Sequence, residues 1–325
     1  MDPEQSNVRW GIIGCGDVCE IKSAPAYQQV SGFELSAVMS RDINKAKDFA
    51  RRHNVKKYYA SAQQLIDDPE IDAVYIATPP DSHCQYALMV AAANKICCVE
   101  KPMALDFAQC QKMQNAFSDK NIPLFVAYYR RCLPGFRALK NCLEKNEIGQ
   151  PRHISWEYSR GPSASDISGA QNWRTQKDLA PGGYFDDIAC HGLDIMTYLM
   201  GKVRQVSGFA SNQQGLYSAY DAVCSNLLFE SGATGCGSWN FGGFSRQDRV
   251  KILGSRGHIE FSIFAEDHAL IVTQEGTKYI DMCKPKPIQL NFVQAIHDHL
   301  CGIRQHPGMA YSAAHTCWIM DNILT

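Results

Sequence analysis

Lys101 has the most chemical leverage of any residue in this chain. It follows the apolar run Cys97-Cys98-Val99-Glu100 and precedes Pro102. A lysine at the end of a buried strand can donate to a carbonyl oxygen as negative charge develops on it. A second polar constellation lies at residues 184–198. A helix from Tyr184 to just before Gly201 puts Asp187, His191, Asp194 and Tyr198 on one face, with Ile188, Ile195 and Leu199 as an apolar stripe alongside. Such a face gathers two carboxylates, an imidazole and a phenol. The plain alternative is a solvated helix face carrying a lone histidine. Asp186 and Asp187 also fall in the first turn, where the helix dipole favours them.

A third set points to a nucleotide. The run at 8–13 feeds Gly14-Cys15-Gly16-Asp17-Val18-Cys19, the pattern G-x-G-x-x-small. Gly14 would make the tight turn and Gly16 would let backbone approach a diphosphate, with Asp17 and Val18 opening the helix that receives it. Cys19 stands where glycine or alanine is usual. About 20 residues on, a carboxylate is expected to hold the ribose hydroxyls. That place falls instead to Ser40 and Arg41, a hydroxyl and a guanidinium suited to a 2′-phosphate. NADP(H) is therefore expected ahead of NAD(H). In the competing reading Arg41 is a solvated arginine and Asp42 caps the next helix, and both can hold together.

These residues need a scaffold, and the chain supplies one. Strand patterns at 8–13, 33–40, 56–60, 72–78, 96–100 and 123–128 alternate with five helical patterns, giving a doubly wound parallel sheet. Its C-terminal edge gathers Gly14, Gly16, Ser40, Arg41, Thr78, Pro79, His83, Glu100 and Lys101, with Tyr128 ending the last strand. Beyond it, 133–148 reads as a helix, 151–160 as a strand and 161–179 as a long loop carrying Trp173 and Arg174, expected to wall a substrate. Strand patterns at 203–211, 220–230, 233–241, 249–254, 257–264 and 268–281 follow, then helices at 288–303 and 310–324. The expected organisation is a Rossmann domain at 1–127. An α+β domain with a large, mainly antiparallel open sheet follows at 128–325. His297 and His299, two apart, cannot share a helix face and read as surface or packing residues.

Composition excludes several classes of function. With net charge −1 and no long basic run, nucleic acid and anionic membrane are not the expected partners. No stretch approaches the roughly 20 apolar residues of a membrane span. The first seven residues are polar and acidic, unlike a secretory signal. Fourteen cysteines include no C-x-x-C pair, and most, such as Cys97, Cys98, Cys224 and Cys236, lie in apolar segments. A reduced, cytoplasmic protein is expected. No cluster has metal-ligand spacing.

Gly14-x-Gly16, Ala77-Thr78-Pro79-Pro80-x-x-His83 and Glu100-Lys101-Pro102, at these separations, resemble the Gfo/Idh/MocA oxidoreductases, relatives of glucose–fructose oxidoreductase and inositol dehydrogenase. The resemblance spans nearly the whole chain. It implies that Lys101 hydrogen-bonds the reacting oxygen, that Lys101-Pro102 is a cis candidate, and that Asp187 and His191 are the accompanying carboxylate and acid/base histidine. The usual glycine of D-I-G-x-H is Ala189 here, a departure that bears on local packing. The expected activity is hydride transfer between NADP(H) and a secondary alcohol or ketone of a sugar or polyol. Lys101, Asp187 and His191 would be catalytic, and Tyr128, Trp173, Arg174, Asp187 and His191 would contact substrate. A homodimer or homotetramer through the second-domain sheet is implied by resemblance. Two alternatives remain, a non-catalytic dinucleotide sensor and an NAD-recycling oxidation–elimination glycosidase of the same family.

Overall fold

A computed structural model describes residues 7–325; the polar start at residues 1–6, expected not to be a secretory signal, lies outside them. Among the described residues no helix is long and apolar enough to cross a membrane. The chain divides into two compact units. One runs to Cys132 and takes up Pro285–Ala314; the other comprises Leu133–Lys284 and His315–Thr325. A division at 127/128 assigns 285–314 to the second unit, whereas these residues cluster with the first.

In the first unit, β1 (Val8–Ile13), β2 (Phe33–Met39), β3 (Lys57–Tyr59), β4 (Ala73–Ile76), β5 (Ile96–Val99) and β6 (Leu124–Val126) pair in the order β3-β2-β1-β4-β5-β6, all parallel. The β1, β4 and β5 runs are almost wholly buried, as near-continuous apolar strands of a two-sided sheet must be. Helices α1 (Ala24–Gln29), α2 (Ile43–Arg52), α3 (Ala62–Asp67), α4 (His83–Ala92) and α5 (Phe107–Ser118) make the crossovers. The strand order reverses at β1 and β4, which places the ligand crevice at that edge.

The first crossover departs from a plain helix. Residues Cys19–Ser23 form a π-helical turn before α1. Pro25 lacks the N–H that would bond Ile21, and widening the turn accommodates its ring.

The second unit opens with α6 (Pro134–Glu144) and β7 (Pro151–Ser159). The 161–179 stretch, expected to be irregular, contains α7 (Ala164–Ile167) and a 3₁₀ turn at Trp173–Thr175. Side-chain caps explain the order: Ser163 and Asp166 form a reciprocal box on α7, and Asn172 caps the turn. Then come α8 (Tyr184–Met200), β8 (Val203–Ser211), β9 (Ala222–Phe229), β10 (Thr234–Asn240), β11 (Gln247–Gly254), β12 (Gly257–Phe261), β13 (Ala269–Thr273) and β14 (Gly276–Ile280).

The eight-stranded sheet runs β14-β13-β12-β11-β7-β10-β9-β8, antiparallel except for the parallel β7–β10 pair. The strand pattern at 268–281 forms the β13–β14 hairpin, turning at Gly276 with φ +130°, where Glu275-Gly276-Thr277 is a turn signal. One sheet face is buried and the other stays open, with Phe209 79% exposed. Cys97 and Cys98 are buried as expected, but Cys224 is exposed and Cys236 half-buried, because strand alternation turns both outward.

Two helices close the chain, α9 (Leu290–Leu300) and α10 (Ala310–Leu324). His297 and His299 pack edge-on against Phe33 and Phe125, at 5.5 and 5.3 Å between ring centres. All fourteen cysteines are free thiols.

Candidate functional site: two half-sites, one in each unit

The first half-site is the C-terminal edge of the parallel sheet. Gly14 turns at φ +109° and its N–H donates to Met39 O at 2.8 Å. A Cβ there would lie 2.7 Å from Ala77 O, so both the turn and the approach of β4 require glycine. Above Gly16 a Cβ would meet nothing within 4 Å, which leaves open the approach a diphosphate needs. Asp17 is exposed and Val18 half-buried beside it. Cys19 fits the place of the third glycine: it is fully buried and its thiol donates to Gly14 O at 3.0 Å. The observed turn thus has the tight bend at Gly14 and the open space above Gly16 that the glycine pattern calls for.

At the end of β2, Arg41 is exposed and Ser40 half-buried. The next residue, Asp42, caps α2 by accepting from Asn44 N–H at 2.9 Å and from Lys45 N–H. At the end of β4, Thr78 Oγ1 accepts from the Ser82 hydroxyl at 2.7 Å and Pro79 is exposed.

His83, expected at the cofactor, is fully buried. Its Nδ1 lies 2.9 Å from Pro102 O and its Nε2 2.8 Å from Thr78 O. Burial pushes the imidazole towards its neutral form, which can donate to only one of the two carbonyls at a time. The ring therefore ties the loop after β4 to the loop after β5.

That second loop carries Lys101, half-buried, and the Lys101–Pro102 peptide is cis. Glu100 is 7% exposed, and both its carboxylate oxygens are engaged. Oε1 accepts from Tyr75 OH at 2.6 Å and from Gln289 Nε2 at 2.9 Å, and Oε2 accepts from Lys101 N–H at 3.0 Å. Glu100 thus turns its charge inward, onto the backbone of its neighbour. Tyr75 is hidden in the β4 apolar run, and Gln289 lies 189 positions on from Glu100. Neither carries a motif, and sequence reasoning found neither. Tyr128, expected at the substrate, is 2% exposed.

The second half-site is built on α8. Here the solvated-face reading fails, since His191 is 7% and Asp194 1% exposed. The close-approach glycine of this helix is Gly192: a Cβ there would stand 2.1 Å from the Trp156 ring of β7. Ala189, which stands where glycine is usual, is completely buried. His191 lies edge-on to Phe264, 5.9 Å between ring centres. The Asp187 carboxylate accepts from Arg174 Nε at 2.7 Å, and the Arg174 guanidinium stacks on its neighbour Trp173 at 4.5 Å. The two loop residues expected to wall a substrate are thereby joined to the expected catalytic carboxylate. Asp186, one residue away, turns back to accept from Gly182 N–H at 3.0 Å, and burial pushes its carboxyl up to about 7. Burial outweighs the helix dipole there.

Residues 8–128 match the oxidoreductase family with an NAD-binding Rossmann fold, and residues 136–260 match the GFO/IDH/MocA C-terminal domain. Oxidoreductase P35 of Formosa agariphila is 34% identical across 98% of both chains. Myo-inositol 2-dehydrogenase of Thermotoga maritima is 26% identical over 84% of this chain and 81% of its own. The solved structure of levoglucosan dehydrogenase in complex with NADH superimposes with a TM-score of 0.88 at 23% identity, covering 98% of this chain and 96% of that one. The chain belongs to the Gfo/Idh/MocA oxidoreductase family.

Proposed function

We propose that this protein is an NADP(H)-dependent dehydrogenase or reductase acting on a secondary alcohol or ketone of a sugar or polyol. The observation that carries this reading is Lys101, held at the cofactor edge of a Rossmann sheet by the engaged carboxylate of Glu100. The bound nicotinamide would accept or supply the hydride. Lys101 stabilises the oxygen on which charge develops. His191 exchanges the hydroxyl proton, and Asp187 orients the imidazole or the substrate. Trp173 and Arg174 wall the substrate. The dehydrogenases of inositol and levoglucosan among its relatives and structural neighbours support a polyhydroxylated substrate.

The preference for NADP(H) rests on β2. Asp42 is engaged in a helix cap, and the exposed Arg41 with the hydroxyl of Ser40 would supply a cation and a donor for a 2′-phosphate. The remaining dinucleotide contacts fall to Gly14, Gly16, Asp17, Val18, Thr78 and Pro79, with His83 and the inward-turned Glu100 holding the loops in place. The open sheet face that carries Phe209 would seat a second copy, giving a dimer or tetramer. Fourteen free thiols suit a reducing, cytoplasmic setting.

Parallel fluorescence titrations with NADPH and NADH, followed by a turnover screen of sugars, inositols and keto-sugars, test the reading. Tighter NADPH binding with turnover supports it. A stoichiometric cofactor that co-purifies would favour the recycling glycosidase, and absence of binding would favour the sensor.

A further inference from the structure

Gln289 is an expensive residue where it stands. It is 1% exposed, its Oε1 has no hydrogen-bond partner, and an apolar side chain of similar length would avoid the cost of that orphaned oxygen. It occupies the N-cap of α9, yet its side chain caps no backbone N–H. Its amide nitrogen goes instead to Glu100 Oε1 at 2.9 Å, which also accepts from Tyr75 OH at 2.6 Å. The opposite oxygen holds Lys101 N–H at 3.0 Å. Glu100 N–H donates to Ile76 O at 2.8 Å, so backbone and carboxylate both pin the strand end.

We infer that Gln289 is a positioning residue for Lys101: with Tyr75 it locks one oxygen of Glu100 so that the other fixes the backbone from which Lys101 projects. The segment that returns after the second unit thereby completes the support of the catalytic lysine. This inference rests on the proposed role of Lys101.

The variant Gln289→Glu makes the coupling visible. Two carboxyls about 3 Å apart in a buried site cannot both ionise, so they share a proton that can stand in for the amide N–H at low pH and is lost at high pH. Besides Lys101, the titratable groups around Glu100 include Tyr75, Tyr27, Cys19, Cys98 and His83, and burial favours the neutral form of each of these five. Between pH 5.5 and 8 the change is therefore expected from the carboxyl pair. The folded state holds a proton that the unfolded chain releases, so stability falls as pH rises through that window. Its Tm deficit against wild type should widen from pH 5.5 to 8. Its kcat should recover towards wild type at the low end, with the Kd for NADPH unchanged.

Gln289→Ala and Tyr75→Phe should each lower kcat about tenfold at unchanged Kd. Both should also change the rate at which Lys101 is acetylated by a trace of acetic anhydride, read by peptide mass spectrometry. A pH-independent Tm deficit in Gln289→Glu, with wild-type labelling of Lys101 in the other two variants, would overturn the inference and leave the proposed activity standing. If the wild-type protein turns over no polyol but labelling and Tm respond as expected, the coupling stands and the proposed activity falls.

Discussion

The two half-sites hold their key residues by different means. Lys101 is supported through backbone: Glu100 holds its N–H, and His83 spans Pro102 O and Thr78 O. His191 and Asp187 are supported through side-chain packing: Gly192 lets the helix settle on Trp156, Phe264 flanks the imidazole, and Arg174 holds the carboxylate. A backbone-held residue depends on a few hydrogen bonds at fixed spacing. A packing-held residue depends on the shape of surfaces contributed from far along the chain. The first half-site should tolerate steric change poorly only at its turns, and the second throughout the α8–β7 contact.

Four expected outcomes sharpen or break that comparison. The largest is Lys101→Ala, which should lower kcat by about 10²–10³, the cost of losing one donor to a developing oxyanion, with little change in the Kd for NADPH. Wild-type turnover in that variant would remove Lys101 from the chemistry. Next is Gly192→Val. Its branched side chain has no room against Trp156 and should cost about 1–3 kcal/mol by overpacking, read as a lowered Tm and denaturant midpoint. A wild-type midpoint would mean that α8 is free to shift and that His191 is not held by that contact.

Arg41→Ala should weaken NADPH binding by about 10-fold, in line with the ~1.5 kcal/mol of a hydrogen bond to a charged group, and leave NADH nearly unaffected. Equal loss for both nucleotides would argue against a 2′-phosphate contact. The fourth outcome is read in pH dependence alone and concerns Asp186. Its folded carboxyl is pushed up to about 7, above the ~3.9 of an unfolded aspartate, so the folded state binds the extra proton in between. Its contribution to stability is present below pH ~4 and is lost as pH rises towards 7. Asp186→Asn should flatten the profile of Tm against pH over that range while leaving cofactor binding intact. An unchanged slope would show that the carboxyl is not desolvated.

Much of the cofactor half was legible because its determinants are local. A positive-φ turn at Gly14, a small side chain at Cys19 and a strand-end cap at Asp42 each follow from neighbours in sequence. The helix face carrying Asp187, His191 and Asp194 was also legible, since 3.6-residue periodicity fixes it. Its burial was not, because the same face fits water or a core equally well until Trp156 and Phe264 are placed beside it. The 161–179 stretch looked featureless, although Ser163, Asp166 and Asn172 were capping signals at short range.

By itself, the sequence determined the alternation of strands and helices, the glycine turn, the Glu100-Lys101-Pro102 strand end and the helical spacing of Asp187 and His191. All are set by backbone preference and periodicity within about a dozen residues. Only the tertiary structure decided that residues 285–314 return to the first unit, that Gln289 reaches Glu100, and that Arg174 rather than solvent meets Asp187. Those pairings depend on which surfaces come together as each unit buries its own apolar core, and no short-range pattern encodes them.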